Sequence, residues 1–182
     1  MVRTHLATEA AKAKVGTADL KFGLPPIARA DAKLLILGSL PGNASLAAAQ
    51  YYAHPRNHFW RLLGGVIGKD LLSLNYSDRI ATIVASGVAL WDVVGSAKRA
   101  GSLDQQIRSE QLNDLRHFVK GLAELRAVAF NGKKAATLAG DALVLLPIDI
   151  LHLPSSSPAY IIHPNVKAVL WAQLTRYLGP HE

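Results

Sequence analysis

The chain has 182 residues, of which 50% are hydrophobic and 18% charged, and this profile predicts one compact globular domain with a sizeable core. The 20 Lys and Arg residues outnumber the 13 Asp and Glu residues, so the formal net charge of +7 favours a polyanionic partner without proving one. The absence of cysteine excludes disulfides, thiolate catalysis, iron-sulfur clusters and cysteine-ligated zinc.

Residues 1–21 are rich in alanine and lysine with little periodicity, so we interpret them as a disordered or loosely helical extension preceding a single domain at residues 22–182. Short apolar runs then predict buried strands of a parallel sheet, at residues 33–37, 88–91, 127–130 and 143–151. Helical stretches are predicted at residues 56–67, 78–85, 113–122, 133–139 and 166–178. The alternation predicts an α/β fold, a three-layer α/β/α sandwich around a four-stranded, mostly parallel sheet.

Two further features of the sequence bear on location and on metals. No apolar run is long enough to span a bilayer, and the N-terminus lacks the order of a secretory signal, so we expect a cytoplasmic protein with no membrane partner. The histidines are scattered along the chain and do not show the spacing of a metal site. We therefore expect neither a metal ion nor another cofactor.

In parallel sheets, ligands bind beyond the carboxyl ends of the strands, so the loops that begin at Gly38, Asp92, Asn131 and His152 are the places to search. The first loop (residues 38–42, Gly-Ser-Leu-Pro-Gly) matches neither the dinucleotide-binding fingerprint nor the P-loop. By itself it is compatible with an ordinary turn. Asn131 and the residues after it suit a phosphate or base contact, although a turn followed by surface lysines is the preferred interpretation.

A richer mixture of side chains occurs at residues 51–60, Tyr-Tyr-Ala-His-Pro-Arg-Asn-His-Phe-Trp. Its aromatic rings could stack on a base, Arg56 and the histidines could meet phosphate, and Asn57 could hold a water molecule. The alternative is that the aromatics belong to a helix core and that Asn57 only caps or braces a loop. We favour the core interpretation for Phe59 and Trp60, and the functional one for Tyr52 and Asn57.

Three segments in consistent order resemble the uracil-DNA glycosylase superfamily, and within it most closely the deoxyinosine (hypoxanthine) DNA glycosylases, which are related to the mismatch-specific uracil/thymine enzymes. They are residues 38–42, residues 53–60 and the Leu-Pro-Ser-Ser-Ser-Pro segment at residues 153–158. The resemblance implies a monomeric, monofunctional enzyme of base-excision repair. Its partner would be double-stranded DNA with a deaminated base, which it would flip out and release by water attack on C1′ of the sugar.

The resemblance also implies roles for particular residues. Gly38, Ser39 and Leu40 would lie under the flipped base, with leucine standing where most branches carry the polar residue that positions the attacking water. In the deoxyinosine branch this role passes to Asn57. Tyr52 corresponds to the aromatic that stacks on the base.

Asp92 stands where several branches carry an asparagine that reads the edge of the base. A carboxylate accepts hydrogen bonds only, so it would pair with N1–H of hypoxanthine or N3–H of uracil and disfavour adenine. The alternative, that Asp92 caps a helix or pairs with Lys98 or Arg99, is equally open.

The remaining candidate residues are assigned to DNA binding. The serine loop (residues 155–158) would clamp phosphates near the flipped nucleotide, and Tyr160 is the candidate wedge inserted into the duplex. The DNA-binding set comprises His54, Arg56, Lys98, Arg99, Ser155, Ser156, Ser157 and Tyr160. Lys98 and Arg99 are placed in a flexible basic loop, with a solvated charge pair as the alternative.

Three functions are therefore retained besides excision of hypoxanthine. The first is the same reaction on uracil, including uracil opposite guanine. The second is a DNA-damage-binding domain that lost catalysis when position 40 became leucine. The third is a protein that binds free nucleotides or bases, as other α/β sandwiches do.

Overall fold

The computed structural model describes residues 20–179. Its strands are β1 (Leu20–Phe22), β2 (Leu34–Gly38), β3 (Val88–Asp92), β4 (Val94–Lys98), β5 (Arg108–Leu112), β6 (Ala127–Asn131) and β7 (Asp149–Leu153). Four of them form a parallel sheet in the order β3-β2-β6-β7. Every residue of β2 and β6, the two central strands, is buried. The predicted four-stranded parallel sheet is confirmed.

A second sheet, antiparallel and in the order β1-β4-β5, was not predicted. Only Val93 separates β3 from β4, so the chain passes directly from the parallel sheet into the smaller one. Since β1 begins at Leu20, the last two residues of the predicted extension form part of a strand. Residues 1–19 lie outside the described residues.

The helices are α1 (Asn43–Ala48), α2 (Phe59–Ile67), α3 (Tyr76–Ala85), α4 (Leu115–Lys120), α5 (Lys133–Ala139), α6 (Pro164–Ala172) and α7 (Thr175–Leu178). The prediction for residues 133–139 coincides with α5, whereas the stretch at 166–178 is divided into α6 and α7. The strand predicted at 143–151 was wrong in its first half. Residues 141–148 form turns and bends, consistent with Pro147, which cannot donate a ladder hydrogen bond.

Successive side chains of the parallel strands point to opposite faces, and each face is covered by helices. Leu34 and Ile36 belong to a core cluster that includes Phe59 of α2 and Trp171 of α6. The adjacent residues of β2 belong to a second cluster with Leu115 of α4 and residues of α5. The three-layer α/β/α sandwich is therefore confirmed. None of the helices within residues 20–179 has both the length and the hydropathy to cross a membrane.

Candidate active site

The carboxyl edge of the parallel sheet brings together the last residues of three adjacent strands. Gly38 ends β2, Asp92 ends β3 and Asn131 ends β6, with Gly38 and Asp92 directly paired in the register. Because the strands are parallel, residues distant in sequence meet at this edge. The edge is therefore the framework of the candidate site.

Asp92 is the most unusual group at this edge. Its side chain is only 3% exposed, and no hydrogen-bond partner for its Oδ2 atom lies within the described part of the chain. Burial, reinforced by the negative charge of Asp104 and opposed by Arg99, raises the pKa of Asp92 to about 7. A buried polar atom without a partner is costly, so this oxygen marks a place where a ligand can contribute the missing hydrogen bond.

The carboxyl group of Asp92 fits here because residue 38 has no side chain. A Cβ atom built at Gly38 would lie 2.4 Å from Oδ1 of Asp92 and 3.2 Å from the hydroxyl oxygen of Tyr52. The backbone carbonyl of Asp92 is fixed by Asn113, whose Nδ2 donates to it at 2.8 Å. Asp92 caps no helix, and among residues 20–179 no ion pair joins it to Lys98 or Arg99. The structural alternative offered by the sequence therefore does not account for it.

Tyr52 approaches the same edge from the segment before α2. Its ring stacks on that of Phe59, with centroids 3.6 Å apart and planes inclined by 9°. Its φ of 53° lies in the left-handed region, which a bulky residue adopts only when its surroundings hold it there. Nδ2 of Asn131 donates to the hydroxyl oxygen at 3.2 Å, and burial raises the pKa of the phenol above its usual value. Tyr52 thus presents a fixed hydroxyl group beside Gly38 as well as an aromatic ring.

Asn131, for which we favoured a simple turn, is an organising residue of the site. It is buried, its Nδ2 donates to Oγ of Ser156 at 2.9 Å, and its Oδ1 accepts from the backbone N–H of Ser156 at 2.8 Å. Ser156 in turn accepts, through its carbonyl oxygen, a hydrogen bond of 3.0 Å from the backbone N–H of His58. The position of an asparagine at the carboxyl end of a predicted parallel strand was the signal in the sequence. The following glycine, which is typical of turns, obscured it.

Asn57 lies immediately before α2, where its Oδ1 accepts a hydrogen bond of 3.0 Å from the backbone N–H of Phe59. Its own N–H donates to the carbonyl of His54 at 2.8 Å, and the next residue, His58, is bonded to Ser156. The side chain of Asn57 is half-buried. Hydrogen bonds therefore fix the segment that carries Asn57 to the loop held by Asn131.

His58 also contains a buried atom without a partner in the described residues, its Nδ1. Burial lowers the pKa of the imidazole, and the positive charges of Lys167 and Arg61 lower it further. These causes favour the neutral ring beside Asn57.

The link between β4 and β5, residues 99–107, binds the first loop through side-chain hydrogen bonds. Arg99 is fully buried, and its guanidinium donates to the carbonyl oxygens of Leu40, Pro41 and Gly101. The hydroxyl of Ser39 donates to Oδ1 of Asp104 at 2.5 Å. The assignment of Arg99 to a flexible, DNA-contacting loop is therefore corrected, because all three nitrogens of its guanidinium are used inside the protein.

The structure also corrects the assignments of Leu40 and Ser156. The side chain of Leu40 packs into a small buried cluster with Val94, Ala97 and Ile107, so only its backbone can face a ligand. Ser156 is 1% exposed and its hydroxyl is bonded to Asn131, which leaves it unsuited to phosphate contact.

The remaining candidates for DNA contact lie at the surface. Arg56 and Lys98 are exposed, and His54, Ser155 and Ser157 are half-buried. Tyr160 is 48% exposed and its neighbour Ile161 92%, so sequence reasoning missed the more exposed apolar residue of this loop. Lys167 is buried beneath the loop, where its Nζ donates to the carbonyl of Ser157 at 3.2 Å and lies 5.4 Å from the centre of the Tyr160 ring.

Within residues 20–179, no group of three or more histidine, aspartate or glutamate side chains is arranged to hold a metal ion. The polar groups at and beside the sheet edge can donate or accept hydrogen bonds, which suits an organic ligand. They are the carboxyl of Asp92, the amides of Asn57 and Asn131, and the hydroxyls of Tyr52 and Ser156.

Comparisons with known proteins agree with this geometry. Two proteins named hypoxanthine DNA glycosylase are similar to the chain. The one from Methanosarcina barkeri is 44% identical over 63% of this chain and 73% of the relative, and the one from Methanosarcina acetivorans is 39% identical over 64% and 73%. A solution NMR structure described as a uracil DNA glycosylase from Methanosarcina acetivorans superposes with a TM-score of 0.80 at 34% identity, covering 88% of this chain and 99% of that one. The family model of the uracil DNA glycosylase superfamily matches residues 25–175, and the chain belongs to that superfamily.

Proposed function

We propose that this protein is a monofunctional DNA glycosylase that releases hypoxanthine from deoxyinosine in DNA. The observation that carries the proposal is the buried Oδ2 of Asp92, which faces no protein partner in the described residues although it lies at the ligand-binding edge of the sheet. The two relatives named hypoxanthine DNA glycosylase support the choice of base.

In the proposed complex, the flipped base lies against Gly38 and Ser39, with its hydrogen-bonding edge toward Asp92. The absence of a side chain at position 38 keeps the carboxyl group beside the strand end. Tyr52 contributes its ring or its hydroxyl to the same pocket. Stacking on an aromatic ring is worth about 1–3 kcal/mol and offsets part of the cost of unstacking the base.

Asn57 is the proposed catalytic residue. Its Oδ1 is oriented by the N–H of Phe59, and a carbonyl oxygen with a second lone pair can still accept a hydrogen bond from water. The water oxygen would bond to C1′ as the bond from C1′ to the base breaks and its electron pair leaves with the base. The attacking water loses one proton and the departing base takes up one, so that the products are free hypoxanthine and an abasic sugar. An amide is a weak base, so most of the rate must come from holding the water in line and from stabilising the departing base.

Exposed and half-buried groups around this edge are the proposed DNA contacts. Arg56 and Lys98 would neutralise phosphates, and His54, Ser155 and Ser157 would form hydrogen bonds to the backbone near the flipped nucleotide. Tyr160 remains the proposed wedge. We further propose that the protein acts as a monomer on double-stranded DNA in the cytoplasm, without a cofactor.

Base release from defined duplexes tests the reaction and the substrate together. Duplexes with a single hypoxanthine, uracil or xanthine, each opposite all four bases, are incubated with the enzyme and the abasic product is quantified. We expect the fastest release from the hypoxanthine duplexes and no covalent adduct on borohydride reduction. Preference for uracil would move the assignment to that base, and tight binding without abasic product would favour the damage-binding alternative.

Asn57→Ala tests the catalytic assignment, and Asn75→Ala is the matched control. Both asparagines accept a hydrogen bond at the start of a helix, since Oδ1 of Asn75 bonds to the N–H of Asp78 at 2.9 Å. Loss of either bond should cost about 1 kcal/mol of stability. Only Asn57→Ala is expected to abolish base release while retaining DNA binding. Normal release by this variant would remove Asn57 from the mechanism.

A further inference from the structure

Asp92 belongs to a group of three ionisable residues near the first loop, together with Arg99 and Asp104. Asp92 and Arg99 are 3% and 0% exposed, and Asp104 is half-buried. The hydrogen bonds of Arg99 go to backbone carbonyls, and Oδ1 of Asp104 accepts from Ser39. The guanidinium of Arg99 therefore forms no hydrogen bond to Asp92 and acts on it only through its charge.

The groups that face Asp92 come from three parts of the chain. Arg99 and Asp104 come from the link between β4 and β5, and Tyr51 and Tyr52 from the segment before α2. The third part is the end of β2, where Gly38 has no side chain. Both tyrosines have pKa values raised above the usual value, first by burial and then by Asp92. Asp92 therefore has one anion and one cation as neighbours, and its charged form has little to offset the loss of water.

The charge of this carboxyl group decides which bases it can bind. Hypoxanthine presents an N–H donor at N1 beside the carbonyl oxygen O6. A neutral carboxyl group matches both, since its carbonyl oxygen accepts from N1–H while its hydroxyl donates to O6. A carboxylate would instead place its second oxygen against O6, where two acceptors repel each other.

We propose that Asp92 binds the flipped base as the neutral acid, with two hydrogen bonds to the lactam edge, because the carboxyl group is buried at the sheet edge without an ion-pair partner among the described residues. The inference rests on the proposed function and changes the role assigned to Asp92 from acceptor alone to donor and acceptor. The hydroxyl of the neutral acid could also donate to N1 of adenine, so Asp92 alone would not exclude that base. Adenine is disfavoured instead because flipping a normally paired base out of the duplex costs more free energy than flipping a mispaired one.

The proposal makes a signed prediction for the pH dependence of base release. The neutral form of Asp92 is present below a pKa of about 7 and is lost above it. With enzyme below saturation, where the rate reports ionisations of the free protein, the single-turnover rate for a hypoxanthine duplex should therefore fall about tenfold per pH unit on the alkaline side. Burial is the main cause of the raised pKa of Asp92, and the negative charge of Asp104 adds to it, so Asp104→Asn should move the falling limb to lower pH without restoring the ordinary aspartate value.

Asp92→Asn provides the second arm, because the amide keeps one donor and one acceptor but does not titrate. We expect this variant to release hypoxanthine with a flat pH profile, and the exposed control Asp141→Asn to behave as the unaltered protein does. A wild-type rate that rises through pH 7 would assign the binding form to the carboxylate. An identical falling limb in Asp92→Asn would show that another group titrates.

A measurement that needs no activity separates this inference from the proposed function. Carboxyl carbon NMR of the folded protein, with Asp92→Asn to assign the signal, should show a midpoint near pH 7 that falls in Asp104→Asn. A midpoint at the ordinary aspartate value would overturn the inference even if hypoxanthine is released. Absence of base release at every pH would instead contradict the proposed function.

Discussion

Gly38→Ala is the most direct perturbation of the contact between β2 and Asp92. The added methyl carbon would lie 2.4 Å from Oδ1 and 3.6 Å from Cγ of Asp92. Favourable non-bonded contacts begin near 3.5 Å, so the carboxyl group would have to move by about 1 Å. It cannot swing into solvent, because it is 3% exposed and the backbone of Asp92 is held by Asn113.

Overpacking of this kind costs about 1–3 kcal/mol, against a gain of about 0.4–1 kcal/mol from the less flexible unfolded chain. We therefore expect Gly38→Ala to lower the free energy of unfolding by about 1–2 kcal/mol, measured by urea denaturation. Base release should fall further than the folded fraction does, since the displaced carboxyl is the group proposed to bind the base.

Gly65→Ala is the control for this experiment. Gly65 lies within α2, and a Cβ atom there would meet nothing within 4 Å. Alanine is the better helix former, so this variant should gain about 0.5–1 kcal/mol and keep its activity. If Gly38→Ala were as stable and as active as the unaltered protein, the reasoning that packs Asp92 against residue 38 would be refuted.

Two further predictions concern buried cations. Arg99→Met should lower the free energy of unfolding, measured by urea denaturation, by about 2–4 kcal/mol, because buried carbonyls of the first loop lose their donors. The neighbouring exposed residue is the control: Lys98→Met should leave the free energy of unfolding within about 0.5 kcal/mol of the unaltered value. It should instead reduce the slope of DNA affinity against salt concentration by about one charge. Lys167→Met should change the free energy of unfolding by less than about 1 kcal/mol, because an apolar side chain of similar length replaces a buried ammonium group. It should nevertheless slow base release, because the loop that carries Tyr160 loses the hydrogen-bond donor to the carbonyl of Ser157. Equal slowing by the exposed control Lys120→Met, measured in the same single-turnover assay, would contradict that role.

The parallel sheet could be predicted because its central strands, β2 and β6, are covered on both faces. Residues 34–37 are all apolar and all buried, so the continuous run in the sequence reports directly on the structure. The second sheet offered no such signal. In β5, Arg108–Leu112, the pattern is polar and mostly exposed, and β4 contains one glycine and two polar residues.

Arg99 shows a second limit of sequence reasoning. An arginine next to a lysine, as in Lys98–Arg99, indicates a solvated surface, because neither residue type is often buried completely. Here, the carbonyl oxygens of Leu40 and Pro41 in the first loop supply partners that lie nearly 60 residues away in the sequence, and Gly101 supplies a third carbonyl nearby. Interactions of this kind depend on tertiary structure, and no local pattern predicts them.

The burial of the Leu40 side chain and the burial of Arg99 have a common structural explanation. Leu40 packs with Val94 and Ala97 of the second sheet, while Arg99 binds the carbonyl of the same residue from that sheet. The side chain of Leu40 is thereby held away from the ligand edge, and at this position the first loop contributes only backbone to the proposed site. The side-chain chemistry has to come from elements anchored elsewhere, and Asn57 is so placed, because its segment is tied to Ser156 and Asn131. A polar side chain at position 40 would therefore be buried in an apolar cluster, and we expect it not to take over the role proposed for Asn57.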